Sequence, residues 1–342
     1  SNPSRDCERM FFLKLLCPKN GELIELHTEI QKNRLADKKF SNEPGKKIDW
    51  LDLHKEGEDR SFSKSIVFSW EDDCAGGYVF ELCENENFCN PLMRECTKPY
   101  TEINNLYIGR TYFWRVRTAD ECSETYRFET EASAPRFITV EGVSNVRDIG
   151  GWNLCGGGKI KQGLVIRGGE MEIHQNITEN GLKTMKEVLK IKTDFDLRAP
   201  GFVSESALGK DKLLLIPIKA YSEFFDDEES ARKVFEVFQN EENYPIYIHC
   251  WGGADRTGTV IFILEAILGM SRVDMFCDYE LTSLGIWGGR TVNIDTFENF
   301  LNRLSEYGEK GDSINVLCEK FLKKIGLTDV GIKQIRNILT EK

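Results

Sequence analysis

Between residues 65 and 130, apolar and polar positions alternate with a period of about two, as strands with one buried face require. Ile66-Val67-Phe68-Ser69-Trp70, Tyr78-Val79-Phe80-Glu81-Leu82 and Thr111 to Thr118 are rich in β-branched and aromatic residues, and turns at Asp72-Asp73 and Gly76-Gly77 separate the first two. Short strands at regular spacing predict an all-β sandwich. Along the third segment Tyr112, Trp114 and Val116 face inward while Phe113, Arg115 and Arg117 face outward, and Trp70 is a core residue on an early strand. Ahead of this region the pattern is weaker. Phe11 to Leu16 and Leu23 to Leu26 read as strands about a turn at Gly21, Ile30 to Phe40 as a short charged helix, and Asn42 to Lys47 as a loop.

Ala132 to Pro135 reads as a linker, after which the periodicity changes. Phe137 to Val140 opens a second domain, and Ile191 to Leu197, Leu213 to Ile218 and Ile246 to Ile248 read as strands. Helical repeats separate and follow them. Thr178 caps an amphipathic helix with Leu182, Met185 and Leu189 inward, and Arg256 to Leu268 is apolar on every face. A helix capped by Ser271, another from Ile294 to Tyr307 and two starting near Ser313 and Thr328 complete the chain. Strands alternating with helices predict a central, mostly parallel sheet packed by helices. The expected architecture is multi-domain, with a β-sandwich over 1–134 and an α/β domain over 137–342.

Composition narrows the partners. The net charge of −11 is shared almost evenly by the two domains, so there is no basic half to attract nucleic acid or an anionic membrane surface. No run of about 18 apolar residues is present to span a bilayer. Of the eleven cysteines, Cys7, Cys17, Cys74, Cys83, Cys89, Cys96 and Cys122 fall in the first domain; only Cys155, Cys250, Cys277 and Cys318 follow. That clustering predicts disulfides in the first domain and an exported protein, periplasmic or extracellular, with one thiol of the odd count kept for chemistry. The opening Ser-Asn-Pro, without an initiator methionine, fits a chain trimmed of a leader. Zinc is the competing use of cysteine, but no Cys-x2-Cys pair occurs and His27 and His54 are isolated, so no metal or other cofactor is expected.

The chemistry concentrates in residues 249–258, His-Cys-Trp-Gly-Gly-Ala-Asp-Arg-Thr-Gly, between the strand at 246–248 and the apolar helix. A tight loop there turns consecutive backbone N–H groups around a tetrahedral oxyanion, and the helix adds its positive dipole end. Gly252 and Gly253 permit the sharp path. Cys250 lies at the floor of such a cradle, where a helix N-terminus and a nearby cation favour the nucleophilic thiolate. Arg256 returns over the loop to grip two phosphoryl oxygens, Thr257 offers its hydroxyl to the sulfur, and His249 supports the geometry from below. Trp251 to Arg256 form the substrate-binding turn.

Cys-x5-Arg-Thr, preceded by His and followed by Gly, resembles the signature of the protein-tyrosine phosphatase superfamily. Upstream elements fall in the order of its bacterial tyrosine/serine phosphatase branch. Asn145-Val146-Arg147-Asp148-Ile149-Gly150-Gly151 resembles that branch's entry motif with Val146 for the usual aromatic; Gly163-Leu164-Val165-Ile166-Arg167-Gly168-Gly169 resembles its strand ending in Tyr-Arg-Ser-Gly, with Gly168 for Ser; Asp196-Leu197-Arg198 resembles its Asp-Leu-Arg element. Leu106 to Tyr112 resembles the tyrosine corner of fibronectin type III domains, in which a Tyr hydroxyl bonds back to the corner backbone. Such a domain implies a spacer or a surface for a protein partner.

The resemblance implies a metal-independent phosphomonoester hydrolase working through a phospho-cysteine. A leaving oxygen needs a proton. Asp255, beside Arg256, is the first candidate donor, Asp196 at a strand end the second, and Asp226 or Asp227 the third, on a stretch (219–229) that reads as a mobile lid carrying Tyr221, Phe224 and Phe225. Arg167 and Arg198 read as ion-pair partners rather than ligands. With Ala254 and Trp251 where polyphosphate-handling loops carry lysines, the loop brings one cation, which favours a singly phosphorylated substrate such as phosphotyrosine, with phosphoserine tolerated, and Trp251, Phe224 and Phe225 as its apolar wall. Inositol-phosphate hydrolysis, a catalytically inactive phospho-ligand-binding module and sulfur transfer are the competing readings; the intact Cys250, Arg256 and Thr257 stand against the inactive module, and Arg-Thr-Gly stands against sulfur transfer.

Overall fold

The computed structural model describes residues 13–36, 53–73 and 76–342. Within these residues the chain forms two units, one of 13–26 and 64–132, the other of 27–36, 53–63 and 133–342.

Eight strands make the first unit: β1 (Leu13–Cys17), β2 (Glu22–Ile24), β3 (Ile66–Asp72), β4 (Tyr78–Cys83), β5 (Leu92–Cys96), β6 (Tyr100–Ile103), β7 (Thr111–Arg117) and β8 (Tyr126–Thr130). They form two sheets, ordered β1-β3-β6 and β2-β8-β7-β4-β5. The alternation of β7 is as expected, with Tyr112, Trp114 and Val116 buried and their neighbours half-buried. Phe68, Phe80, Trp114 and Phe128 are completely buried, and Phe68 meets Phe80 and Trp114 edge-on at 4.8 and 5.2 Å. Each such contact adds about 0.5–1.5 kcal/mol to the burial of the rings. The Tyr112 hydroxyl accepts from the Tyr107 N–H at 2.9 Å, closing the corner. Glu81 breaks the alternation: it is buried, with its two oxygens held by Arg115 and Arg117 of β7 at 2.5 and 2.7 Å.

The disulfides expected in this unit are not formed among its described cysteines. Cys17, Cys83, Cys89, Cys96 and Cys122 are free thiols. Register explains why, since Cys17 lies opposite Ser69, Cys83 opposite Phe113, Cys96 opposite Tyr78 and Cys122 opposite Arg117. Cys7 and Cys74, the start of the strand expected from Phe11, the end of the helix expected to reach Phe40 and the loop expected at 42–47 lie outside the described residues.

The second unit takes in the described residues of 27–36 and 53–63, which chain order had placed with the sandwich. Helix α1 (Glu29–Ala36) carries Arg34, buried against Glu280 at 2.5 Å. Nearby, a His27 ring nitrogen bonds the Pro135 carbonyl at 2.7 Å, and the Asn145 N–H donates to the Ser61 hydroxyl at 2.8 Å. Leu53, Ile30 and Leu35 pack on the core of this unit, but the buried residues of α1 are Gln31 and Arg34, so the helix shows no apolar periodicity.

The central sheet of this unit uses β9 (Arg147–Asp148), β11 (Val165–Gly168), β12 (Thr193–Asp196), β13 (Leu213–Leu215) and β14 (Ile246–His249), while β10 (Lys159–Ile160) pairs separately with β15 (Thr340–Glu341). The order is β13-β12-β14-β11-β9, with every pairing parallel except that of β9. Its middle strand, β14, is buried throughout. The expected strand at 213–218 is shorter and lies at the sheet edge, half-buried. Helices α2 (Glu179–Lys183, continued by a wider π-type turn to Val188), α3 (Glu228–Val237), α4 (Arg256–Leu268), α5 (Arg272–Glu280), α6 (Asp295–Ser305), α7 (Ile314–Lys324) and α8 (Asp329–Leu339) complete the unit. Every residue of α4 beyond Arg256 is buried, which is why it shows no polar face.

The stretch 219–229 is not a lid. It forms a 3-10 turn from Tyr221 to Asp226 whose Phe224 and Phe225 are 2% exposed. Phe225 stacks on Phe300 at 5.6 Å and meets Phe321 edge-on at 4.8 Å, while Phe224 packs on Phe235 and Phe321. These rings belong to the core and not to a substrate wall.

Candidate active site

The loop between β14 and α4 is held by its carbonyls. Asn145 Nδ2 donates to Gly252 O at 2.9 Å, Arg167 Nη2 to Gly253 O at 2.7 Å, and the Glu170 N–H to Trp251 O at 2.9 Å. His249 Nδ1 reaches Cys250 O at 3.1 Å, and the Thr259 N–H takes Asp255 O at 2.9 Å. With the acceptors engaged on the outside, the N–H groups of Trp251 to Asp255 have no protein acceptor among the described residues, the arrangement of an anion-binding nest. Both loop glycines are required. Gly253 sits at φ +67°, where a Cβ would lie 2.1 Å from the Gly168 carbonyl, and a Cβ on Gly252 would lie 2.7 Å from Cγ of Trp287.

Cys250 lies 3% exposed beneath this nest. Burial pushes its thiol up, but the hydroxyl and N–H of Thr257 and the charge of Arg256 outweigh burial and hold it below its ordinary value. Under the loop, burial pulls the His249 imidazole down, yet Asp194, 2.7 Å from Nε2, raises it to about 9. The ring is therefore an imidazolium at neutral pH, and both nitrogens donate, one to Asp194 and one to the Cys250 carbonyl. The Arg256 guanidinium makes no ion pair with any described residue, which leaves its planar fork open to an oxyanion.

The Asn-Val-Arg-Asp stretch is the frame beneath. Asn145 holds the loop and accepts from Arg147 Nη1 at 2.7 Å; Arg147 Nε bonds Asp278 at 2.9 Å; Asp148 accepts the Gly150 and Gly163 N–H groups at 2.8 and 2.6 Å. Arg167 spans from Asp278, at 3.1 Å, to the loop carbonyl. Burial and the Arg147 charge lower Arg167 to about 10, still protonated at neutral pH. Glu265, in the middle of α4, is pushed well above the carboxylate range by burial and then by Asp278, so it is protonated and leaves the ionised charge to Asp278. At Gly168 a Cβ would come 2.3 Å from the Tyr247 hydroxyl and 3.0 Å from Val146, which explains a glycine where the expected motif has Ser.

The expected proton donors fare differently. Asp255 is at the loop, but both its oxygens are held by Arg290, at 2.8 and 3.0 Å, and one by the Tyr221 hydroxyl at 2.5 Å. Burial raises its carboxyl, and Arg290 and Tyr221 more than reverse this, holding it below its ordinary value. Asp196 is buried in a fork from Arg198, with Nε at 2.9 Å and Nη2 at 2.8 Å, and its carboxyl is held below its ordinary value although burial opposes this. Asp227 caps α3 through the Ser230 N–H, and Asp226 pairs with Arg303 at 3.0 Å. Ala254 is buried, and Trp251 stands at the rim with Arg198 over its ring at 4.9 Å.

Several residues at the site carried no role in the sequence. Arg290 pairs with Asp255, Trp287 lies on Gly252, and Tyr279 bonds the Tyr221 hydroxyl at 2.5 Å. Tyr221, read from the sequence as part of a lid, has a φ of +55° and reaches Asp255 with its hydroxyl. Asn145 and Asp278 each lie among other buried polar residues, Ser144, Arg147 and Asp148 beside the one and Glu280 and Thr282 beside the other.

The profile of the tyrosine phosphatase family matches residues 138–341, more than half of the chain. The chain belongs to the tyrosine phosphatase family. Similar curated proteins of this kind are yeast ones, not bacterial: a putative tyrosine-protein phosphatase OCA1 of Debaryomyces hansenii is 34% identical over 73 residues, and its counterpart from Scheffersomyces stipitis is 32% identical over 74. These alignments cover 21% and 22% of this family member and 37% and 34% of the relatives, so the likeness spans little more than a third of their length. Among solved structures, the core catalytic domain of the PP-IP phosphatase SIW14 from S. cerevisiae, in complex with citrate, covers 42% of this chain and 86% of its own at 20% identity and a TM-score of 0.32. The fn3 domain of human collagen alpha-1(XX) chain covers 24% and 85% at 18% identity and a TM-score of 0.18. At these scores neither likeness bears on the fold or the activity.

Proposed function

We propose that this protein is a cysteine-dependent phosphomonoester hydrolase that acts on phosphotyrosine and tolerates phosphoserine. The observation that carries this reading is the pairing of an acidified, buried Cys250 with an unengaged Arg256 across a loop whose Gly252 and Gly253 carbonyls are tied back. The Cys250 thiolate attacks phosphorus, Arg256 and the loop N–H groups hold the developing charge, and Thr257 steadies the sulfur when water releases phosphate. The chain's own residues supply the nucleophile and the charge stabilisation. Trp251 and the exposed Phe202, edge-on to it at 4.5 Å, give the rim an apolar side suited to an aryl ester. The first unit, with its tyrosine corner and two sheets, we assign to the fibronectin type III type, as a module for a protein partner.

One observation favours a second reading. Arg290, held at Asp255, is a further cation beside the loop that the sequence alone did not supply, and a substrate with more than one phosphate, such as an inositol phosphate, would draw it away. Hydrolysis of p-nitrophenyl phosphate in EDTA, wild type beside Cys250→Ser, tests the activity. Turnover in the wild type, reduced to background in the variant, is the expected result; a wild type without turnover removes the hydrolase reading, and turnover surviving the substitution removes the mechanism. Phosphotyrosine peptides set against inositol phosphates then rank the substrates.

A further inference from the structure

We infer that Arg290 is a positioning residue for Asp255 as proton donor, a clamp on both carboxyl oxygens that an anion arriving at the loop must open before the donor acts; the inference rests on the hydrolase reading above. Arg290 Nε meets Oδ1 at 2.8 Å and Nη2 meets Oδ2 at 3.0 Å, the two-pronged geometry in which a guanidinium grips a carboxylate most firmly. The Tyr221 hydroxyl adds a third bond, to Oδ1 at 2.5 Å, and the Tyr279 hydroxyl backs it at 2.5 Å. The carboxyl is thus held from two sides.

The surroundings fix both partners. The Arg290 backbone is pinned to Ser283, whose hydroxyl accepts the N–H at 2.8 Å and donates to the carbonyl at 2.9 Å, which leaves the side chain as the part able to swing. The Tyr221 N–H donates to Thr259 Oγ1 at 2.8 Å, and that hydroxyl donates to the Asp255 carbonyl at 2.8 Å, so Tyr221 is registered on Asp255 at backbone and side chain alike. A left-handed φ of +55° at a tyrosine is strained backbone, kept here where it puts the hydroxyl on the carboxylate. The groups facing Asp255 are Arg290 from the stretch after α5, Tyr221 from the 3-10 turn, Tyr279 of α5, Arg256 at the start of α4 and Cys250 in the loop. Glu280, which also faces Tyr279, is taken by Arg34 at 2.5 Å and the Val292 N–H at 3.1 Å.

The clamp favours the ionised carboxyl, whereas a leaving oxygen needs a proton. The Asp255 side chain is 40% exposed and that of Arg290 22%, so the pair is open to an anion from solvent, and phosphoryl oxygens match the guanidinium fork as a carboxylate does. As Arg290 turns to the anion, the freed carboxylate takes a proton from solvent. As the Sγ–P bond forms and the ester P–O bond breaks, that proton passes to the leaving oxygen, which departs as the alcohol or phenol. Water then attacks phosphorus, the Asp255 carboxylate takes its proton, and the S–P bond breaks to return the Cys250 thiolate and inorganic phosphate. The opening anion is the reacting phosphate or a second phosphate on the same ester, since both present the same oxygens.

The experiment follows kcat/KM against pH on phenyl phosphate, whose leaving group needs a proton, for wild type, Arg290→Gln, Asp255→Asn and the double variant, because kcat/KM titrates the groups of the free enzyme. In Arg290→Gln the alkaline limb is expected to move up by about 1–3 pH units, since the carboxyl loses its opposite charge and keeps its proton longer. Arg290→Lys, which keeps the charge but not the fork, is expected to fall between. In the Asp255→Asn background the Arg290 substitution is expected to shift nothing, which separates this role from a structural one. On resorcinol bisphosphate beside phenyl phosphate, a wild-type preference for the bisphosphate that Arg290→Gln abolishes assigns the opening anion to a second phosphate; equal rates assign it to the reacting one. An alkaline limb unmoved in Arg290→Gln, or moved equally without Asp255, overturns the inference and leaves the hydrolase reading standing. A wild type inactive on both phenyl and p-nitrophenyl phosphate overturns both.

Discussion

The two units bury different things. In the first, the largest fully buried side chains are Trp114, Phe68, Phe80 and Phe128; in the second, Arg34, Arg147, Arg167 and Arg198 are as deeply buried as any ring. Aromatic packing is cheap in the interior, whereas each buried ion costs several kcal/mol of desolvation that only good geometry offsets. The second unit meets that cost where the loop is held. Arg147 and Arg167 share Asp278, and Asn145 and Arg167 then carry the support to the carbonyls of Gly252 and Gly253. An apolar frame could fill the same volume but could not grip a carbonyl, and a loop with free carbonyls would repel the anion its N–H groups are placed to bind.

The largest effect is expected from removing one such arginine. Arg167→Met should cost about 3–5 kcal/mol of stability, because Asp278 loses a buried partner. It should also lower kcat/KM by roughly a hundredfold, because the Gly253 carbonyl is released. Denaturant melts and p-nitrophenyl phosphate kinetics check both; a variant that loses stability but keeps full turnover would show that the loop does not depend on the arginine. In the first unit, Phe68→Ala should cost a similar 3–5 kcal/mol from the cavity it leaves, yet leave turnover at 25 °C unchanged. If turnover falls with it, the division of labour between aromatic and ionic cores fails.

The same contrast decides what could be read in advance. The sandwich's alternation, its tyrosine corner, the parallel sheet and the Cys-x5-Arg loop are local patterns, and each appears where the spacing put it. The departures lie where a long-range contact overrides local pattern. Residues 27–63 look featureless because Arg34 is fixed by Glu280, 246 positions away. Phe224 and Phe225 look like a lid because nothing nearby in sequence announces Phe300 and Phe321. Asp255 looks like an unencumbered carboxyl beside the arginine of the loop, but Arg290, from beyond α5, takes both its oxygens. The cysteine clustering suggested disulfides that the strand register does not bring together among the described residues.

The smallest effect concerns His249, the one buried ion of this frame that titrates near neutrality. Its folded-state value is about 9 against an ordinary 6.5, because Asp194 outweighs burial. A raised value means that the folded protein binds the proton more tightly than the unfolded chain. The stabilisation is therefore fully present below about pH 6.5 and is lost as pH rises through about 9. A shift of this size corresponds to at most about 3 kcal/mol. Unfolding free energies across that window should fall with rising pH in the wild type and fall less in His249→Asn, where no proton is exchanged. A flat wild-type profile would mean that the Asp194 charge is not what holds the ring, and that the loop relies on Arg167 and Asn145 alone.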